Sequence, residues 1–366
     1  MSEQIVYVLI TADYELFLGR NFLGSEEVLF APTRRMIGVC EGLQVPITFF
    51  ADVCSVWAYR DYGLDDYALK FEGQMCQAVR SGHDVQLHIH PHWLGCTYEN
   101  GEWRISTERM YLSELGFGDG EQQAPAVIKR GVDYLNGLLR QEKPGYNCLA
   151  FRAAGLALQP EEESLIGALL NNGIRIDSSV AKGLRLSMDT IEIDYTRTPR
   201  AANWLMSQET GMSSPADQGL FEIPIATFKS GAPTRLGFLW RRLRSVSMRR
   251  GSGISRSERQ TRWANIRTML AYNLRYLYTN PWFSLSCDTK GYNLKMLLDG
   301  FDDYIDRHSE SRAIFVSMIN HPKLMFDPQF ELLGGFVEGV RRRYGERVRF
   351  VTCGEVVGKL DGAEAT

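Results

Sequence analysis

Short apolar runs alternate along the first half of the chain with stretches whose apolar residues recur every three or four positions. Ile5 to Ile10 is such a run, ending on the polar cluster Thr11-Ala12-Asp13, and it reads as a buried strand. Pro32 suits the first turn of a helix carrying Met36, Ile37, Val39 and Cys40, with Gly42 placed to end it. The same grammar predicts a strand over Val45 to Phe50, a helix over Tyr67 to Val79 closed by Ser81-Gly82, and a strand over Asp84 to His88. A helix from Ala124 to Leu139, a strand from Asn147 to Phe151, a helix from Pro160 through Leu170 and a strand over Ile174 to Ile176 continue the series. Unbroken apolar strands between amphipathic helices imply parallel pairing, in either a barrel or a doubly wound sheet.

The rhythm stops near residue 183. Between there and His308 one clear strand, Phe221 to Ile225, precedes a basic segment in which Lys229, Arg235, Arg241, Arg242, Arg244, Arg249, Arg250, Arg256, Arg259, Arg262, Arg267 and Arg275 face the single acid Glu258. The βα alternation returns with a strand at Ala313 to Ile319, a helix near Phe330 to Tyr344, a strand at Val348 to Val351 and a last helix from about Glu355. The expected organisation is therefore a fold split into 1–183 and 313–360, an elaboration over 184–312, and a frayed tail at 361–366.

Composition narrows the class. The chain has 366 residues, 44% hydrophobic and 23% charged, with a net charge of -3, values of an ordinary globular protein. Its strands are far short of the roughly 20 apolar residues that cross a bilayer, and Met1-Ser2-Glu3-Gln4 has no signal-peptide character, so a cytoplasmic location is expected. The seven cysteines are scattered, without a CxxC pair, and read as reduced thiols. A metal, if bound, serves chemistry and not structure.

Of six histidines, His83, His88, His90 and His92 fall within ten residues at the end of one predicted strand. His88, His90 and His92 share a face if the extended geometry persists, although Pro91 favours a turn. Imidazoles clustered at the C-terminal end of a parallel strand point to a divalent metal, and an open hydrolytic site typically adds one carboxylate. Asp13 and Glu15, two apart at the end of the first strand, are the candidates. Arg152, Asp177-Ser178-Ser179 and Asn320-His321-Pro322 stand at the ends of three further strands, as a barrel active site requires.

These residues match a family pattern. Gly82-His83-Asp84 followed by His88 and His92 resembles the second motif of the polysaccharide deacetylases of the NodB-homology type, carbohydrate esterase family 4. Thr11-Ala12-Asp13 resembles that family's TFDD strand, Ile47-Thr48-Phe49-Phe50 its TFF strand, and Phe151-Arg152-Ala153-Ala154-Gly155 its arginine motif. Asp177-Ser178-Ser179 is similar to its DxS motif, and Asn320-His321-Pro322-Lys323 to its last motif. The motifs run in the family's order. Tyr14 stands where the family has a metal-binding Asp, Ala154 where it has Pro, and Lys182 where it has Trp, which marks a divergent branch.

The resemblance implies an irregular (β/α)7 barrel with a basic insertion. It implies a divalent metal, zinc or a similar ion, on His88 and His92, with Glu15 replacing the ligand missing at Tyr14. Asp13 would be the base, Arg152 its holder, His321 the acid and Asp177 part of the catalytic group. The expected reaction removes an acetyl or similar acyl group from an N-acylated sugar, nucleotide sugar or sugar-lipid in polysaccharide or glycolipid biosynthesis. A non-sugar carbon-nitrogen hydrolase, such as the metal-independent allantoinase-like branch, and an inactive sugar-binding barrel are the alternatives. His88-Ile89-His90 also fits the HxH pair of amidohydrolase and PHP barrels, but those need more histidines on later strands than this chain has. Apolar residues interleaved with arginines over 234–250 point to a surface helix or mobile loop meeting anionic groups, such as the inner face of a membrane. Nucleic acid is not expected, because no binding motif accompanies the charge.

Overall fold

The computed structural model describes residues 4–16, 24–187, 190–247 and 282–364. Its centre is a ring of parallel strands, Ala313–Asn320, Ile5–Tyr14, Thr48–Asp52, Asp84–Ile89, Ala150–Ala153, Ile176–Asp177 and Leu220–Glu222, each hydrogen-bonded to the next. The last gap is closed thinly. Ile225 forms single parallel bridges to Ala181 on one side and Ser317 on the other, and the Ala226 N–H donates to the Ser317 carbonyl at 2.9 Å. This is the irregular (β/α)7 barrel, not the open doubly wound sheet. The strand Leu220–Glu222 lies inside the 184–312 segment, so that segment supplies one stave of the barrel. Val348–Phe350 adds to the outside of the first strand in parallel, and Trp204–Met206 flanks Leu220–Glu222 antiparallel.

The first strand outruns its apolar core. It pairs with Ala313–Asn320 from Ile5 to Ala12 and then with Thr48–Asp52 from Thr11 to Tyr14, so the polar residues Thr11 and Asp13 are carried into a buried ladder. Apolarity alone ends the strand at Ile10; the two neighbouring ladders carry it on to Tyr14.

Most helices match the amphipathic pattern: Ala31–Gly42 with Pro32 in its first turn, Asp65–Arg80, Ala124–Leu139, Glu162–Asn171 and Asp327–Tyr344. Helix Val53–Asp61 has no such stripe because Val53 to Ala58 are all buried. Its start is set by Asp52, whose Oδ1 accepts the Cys54 N–H at 3.2 Å. Helix Ala124–Leu139 lies close on the Asp84–Ile89 strand through Gly131, where an added Cβ would stand 2.7 Å from Leu87 Cδ1. The C-terminal helix spans Cys353–Glu364, past the point where fraying is expected.

Within the 184–312 segment, Thr227–Lys229 pairs with Trp282–Ser284, and helices Ala232–Ser247 and Leu294–Arg307 pack beside them. The expected surface element over 234–250 is thus helical as far as Ser247. The rest of the basic segment, 248–281, lies outside the described residues. No helix among the described residues is long and apolar enough to cross a membrane.

Tyr14 shows how the barrel wall is built. Its ring is fully buried against Phe71 and Phe49, and its hydroxyl donates to Gln74 Oε1 at 2.7 Å, while Gln74 Nε2 donates to the Phe30 carbonyl at 2.9 Å. Tyr14→Phe should lower stability by about 1–2 kcal/mol through the unpaired Gln74 oxygen. Tyr14→Asp buries a carboxylate among rings and should cost about 3 kcal/mol or more. Chemical denaturation of the two variants checks both values.

Candidate active site

Strand register assembles the polar residues. Asp52, His88 and Arg152 sit side by side on three adjacent strands, and Phe151, Asp177 and Glu222 form the neighbouring row. All lie near the C-terminal ends of their strands, where the first and last strands bring Asp13 and His321. The pleat then selects side chains. Tyr14 points into the helix layer, so Asp13 and Glu15 on either side of it both turn to the interior.

Arg152 is completely buried and fully engaged. Its Nη1 donates to Asp13 Oδ1 at 2.6 Å, Nε to the Ser178 carbonyl at 2.8 Å, and Nη2 to Ser178 Oγ at 3.0 Å and Ser317 Oγ at 3.3 Å. The guanidinium also lies 4.1 Å from the centre of the Phe50 ring. Burial alone would raise the Asp13 pKa, but the charges of Arg152, His88 and His321 outweigh it and hold the carboxyl below its ordinary value. Asp13 is thus ionised.

Glu15, His88 and His90 converge. His88 Nε2 stands 3.2 Å from Glu15 Oε2 and 3.0 Å from His90 Nε2, and His90 Nε2 meets the same Glu15 oxygen. His88 Nδ1 donates to the Arg152 carbonyl at 2.7 Å, which fixes the ring with Nε2 facing the cluster. These three side chains form the one group of metal-capable donors within mutual reach among the described residues. Glu15 Oε1 is held from the other side by buried Lys323, whose Nζ also donates to the Leu16 carbonyl. Burial opposes the Glu15 charge, but Lys323 and the two imidazoles keep its carboxyl well below the ordinary range.

His92 stands outside this group. The extended strand carries His88 and His90 to one face, and Pro91 then opens a short 3-10 turn over Pro91–Gly95. His92 packs in that turn with its ring centre 5.4 Å from that of His90, its Nε2 buried without a hydrogen bond. Burial and the neighbouring His90 push its pKa down to about 3, so it is neutral. His83 also stays apart; its Nδ1 accepts the Ile47 N–H at 3.3 Å and pins the turn before the strand.

His321 completes the cluster. Its Nε2 lies 3.5 Å from Asp13 Oδ2 and 3.8 Å from Glu15 Oε1, while Nδ1 pairs with Asp288 Oδ2 at 2.7 Å. Burial disfavours the imidazolium, but the Asp288 hydrogen bond and charge, with Asp13 and Glu15 behind them, raise the His321 pKa. Asp288 comes from the 184–312 segment, and nothing in its local sequence marks it.

Asp177 acts at one remove. Its carboxylate accepts from the Ser179 N–H at 3.0 Å and Ser179 Oγ at 2.8 Å, and Ser179 Oγ in turn accepts the Ala153 N–H beside Arg152. It faces Glu222, a residue the sequence motifs do not mark. Burial, followed by the Asp177 charge, lifts the Glu222 carboxyl well above its usual range, so Glu222 carries the proton of the pair. Its place inside the predicted strand Phe221 to Ile225 is the only signal for it in the sequence.

No family model matches the chain, and no curated protein matches its sequence. Among solved structures it is similar to a putative glycoside hydrolase/deacetylase from Parabacteroides distasonis, 12% identical over 97% of this chain and 70% of that one, with a TM-score of 0.51. The fold is the irregular (β/α)7 barrel of the NodB-homology type. A putative polysaccharide deacetylase from Mycobacterium smegmatis aligns over 99% of this chain and 92% of that one, at 11% identity and a TM-score of 0.47. A probable polysaccharide deacetylase from Pseudomonas aeruginosa PAO1 aligns over 96% and 89%, at 10% identity and a TM-score of 0.43. At these identities the comparisons speak to fold, and the chemistry rests on the residues above.

Two outcomes follow. His90→Ala and His88→Ala should abolish tight binding of zinc, cobalt or manganese, whereas His92→Ala should retain it, as measured by metal analysis after dialysis. The Glu222 carboxyl, protonated in the fold, stabilises it fully below the unfolded value, and that contribution is lost as pH rises through the raised folded value. The melting temperature of the native protein should therefore lose ground to that of Glu222→Gln as pH rises above the ordinary carboxylate range.

Proposed function

We propose that this chain is a metal-dependent hydrolase that removes an acetyl or similar acyl group from the nitrogen of an N-acylated sugar. The observation that carries the reading is that two held groups meet 3.5 Å apart at the C-terminal end of the barrel strands. Asp13 is fixed as a carboxylate by Arg152, and His321 is turned toward it by Asp288, with Glu15, His88 and His90 gathered beside both.

The donor set fits a divalent ion. A carboxylate oxygen and two imidazole nitrogens converge, and the His88 ring is oriented from behind by the Arg152 carbonyl. Glu15, His88 and His90 would hold the ion, which when bound supplies a Lewis acid and an acidified water. The protein's own groups do the rest. Asp13 Oδ2, the oxygen not committed to Arg152, accepts the proton of the attacking water. His321, its Nδ1 anchored on Asp288, gives a proton from Nε2 to the departing amine. The Arg152 guanidinium on Asp13 Oδ1 keeps Asp13 from drifting to the neutral acid. Asp177 reaches the site through Ser179 and the Ala150–Ala153 strand, as a positioning residue.

The substrate class we favour is a sugar, nucleotide sugar or sugar-lipid of surface polysaccharide or glycolipid assembly, with the protein in the cytoplasm or at the inner face of the membrane. The basic 234–250 segment supports contact with anionic lipid. With zinc, cobalt or manganese restored, the protein should release acetate from at least one member of a panel of free, nucleotide-linked and lipid-linked N-acetyl sugars. Asp13→Asn and His321→Ala should each lower kcat by about 10²–10⁴-fold while metal content stays unchanged. Hydrolysis by the metal-free protein, or undiminished turnover by Asp13→Asn, contradicts the assignment.

A further inference from the structure

The helix Ala232–Ser247 is unusual in which side chains it buries. Phe238 is 2% exposed, packed against Phe283 and Tyr292, yet Leu236 and Trp240 are 69% and 68% exposed, above every other large apolar side chain among the described residues. They are four positions apart, so they stand one above the other on a single face. An isolated exposed leucine means little, but a leucine and a tryptophan stacked on one helix turn form a ridge that water does not favour.

The helix that bears the ridge carries one sign of charge in its sequence. The helix holds Arg235, Arg241, Arg242 and Arg244 and no acid, and the sequence from Lys229 to Arg275 has twelve basic residues against Glu258 alone. Arg241 is built into the fold, its Nε donating to the Gly291 carbonyl at 2.7 Å, and the Arg242 guanidinium lies 5.8 Å from the Phe238 ring. Interleaved arginine with an apolar ridge containing Trp is the composition of a helix that lies in the plane of an anionic lipid surface. Nucleic acid offers the charge and, where single-stranded, a stacking face for Trp240, but no place for Leu236.

The placement adds a reason. Phe238 and Arg241 grip the loop that runs from Cys287 to Tyr292, and that loop carries Asp288, the partner of His321. Lys290 of the same loop lies 5.4 Å from the ring of Phe326, another exposed apolar side chain just past His321 and Pro322. The ridge is therefore one loop away from His321.

We propose that Leu236 and Trp240 dock this protein on an anionic bilayer, with the positive charge of helix Ala232–Ser247 toward the headgroups, so that the side of the site bearing His321 is brought to the lipid surface. The role given to the site rests on the hydrolase reading above; the docking does not. The test is cosedimentation with vesicles of pure phosphatidylcholine and of phosphatidylcholine with 30% phosphatidylglycerol, at low and high salt. The native protein should bind the anionic vesicles at least about tenfold more tightly than the neutral ones, and lose that preference at high salt. Leu236→Ser with Trp240→Ser should reduce anionic binding about tenfold or more, with an unchanged melting temperature and unchanged turnover of a water-soluble substrate. No binding, equal binding to both vesicles, or full binding by the double variant overturns the proposal. So does a lipid-free dimer in sedimentation velocity that the double variant dissolves, since the ridge then belongs to a second copy. Binding is read without turnover, so an inactive protein that still binds contradicts the hydrolase reading and not this one.

Discussion

A guanidinium with no exposure to water stands in the middle of this barrel, and the arrangement around it follows from that. An unpaired buried cation is prohibitive, so Arg152 must find an anion and saturate its N–H groups. It does so across the ring, on Asp13 of the first strand, on Ser178 just past Ile176–Asp177 and on Ser317 of Ala313–Asn320. One side chain thus ties four staves at a single level, on the same side where Ile225 closes the ring with single bridges. Removing either member of such a pair costs about 3–5 kcal/mol, so the geometry at Asp13 is held by the stability of the fold itself.

That constraint sets the chemistry available nearby. Because Arg152 keeps Asp13 ionised and occupies Oδ1, only Oδ2 is left to the site, and His321 stands on that side. Asp13 is therefore committed, and a metal needs another carboxylate. The pleat offers Glu15, since Tyr14 between them faces the aromatic layer around Phe71. Two positions of added chain bring the longer glutamate side chain level with His88 and His90. Lys323, next but one after His321, compensates its charge.

Much of this was legible in the sequence, and the limits have physical causes. Apolar runs between amphipathic helices revealed the alternating barrel, because parallel strands buried on both faces leave that pattern. Asp13, Glu15, His88, Arg152 and His321 could be found because each follows an apolar run, and strand ends are where such a barrel gathers function. Helix Val53–Asp61 left no periodic trace because it is buried on all sides. Asp288 and Glu222 were hidden because tertiary contact alone gives them roles: one meets His321 across the chain, the other meets Asp177 across a strand pair. The choice between His90 and His92 turns on how far the strand stays extended before Pro91, a matter of one residue that spacing does not decide.

The central claim is that Glu15, His88 and His90 form a divalent-metal centre beside the Asp13–Arg152 pair. Its most direct test is a crystal structure of zinc-loaded protein with diffraction recorded on both sides of the zinc absorption edge. The account predicts one strong anomalous peak per chain, about 2.0–2.2 Å from Glu15, His88 and His90, with the Asp13–Arg152 pair intact. An absent peak, or a peak bound by His92 with His90 turned away, contradicts it.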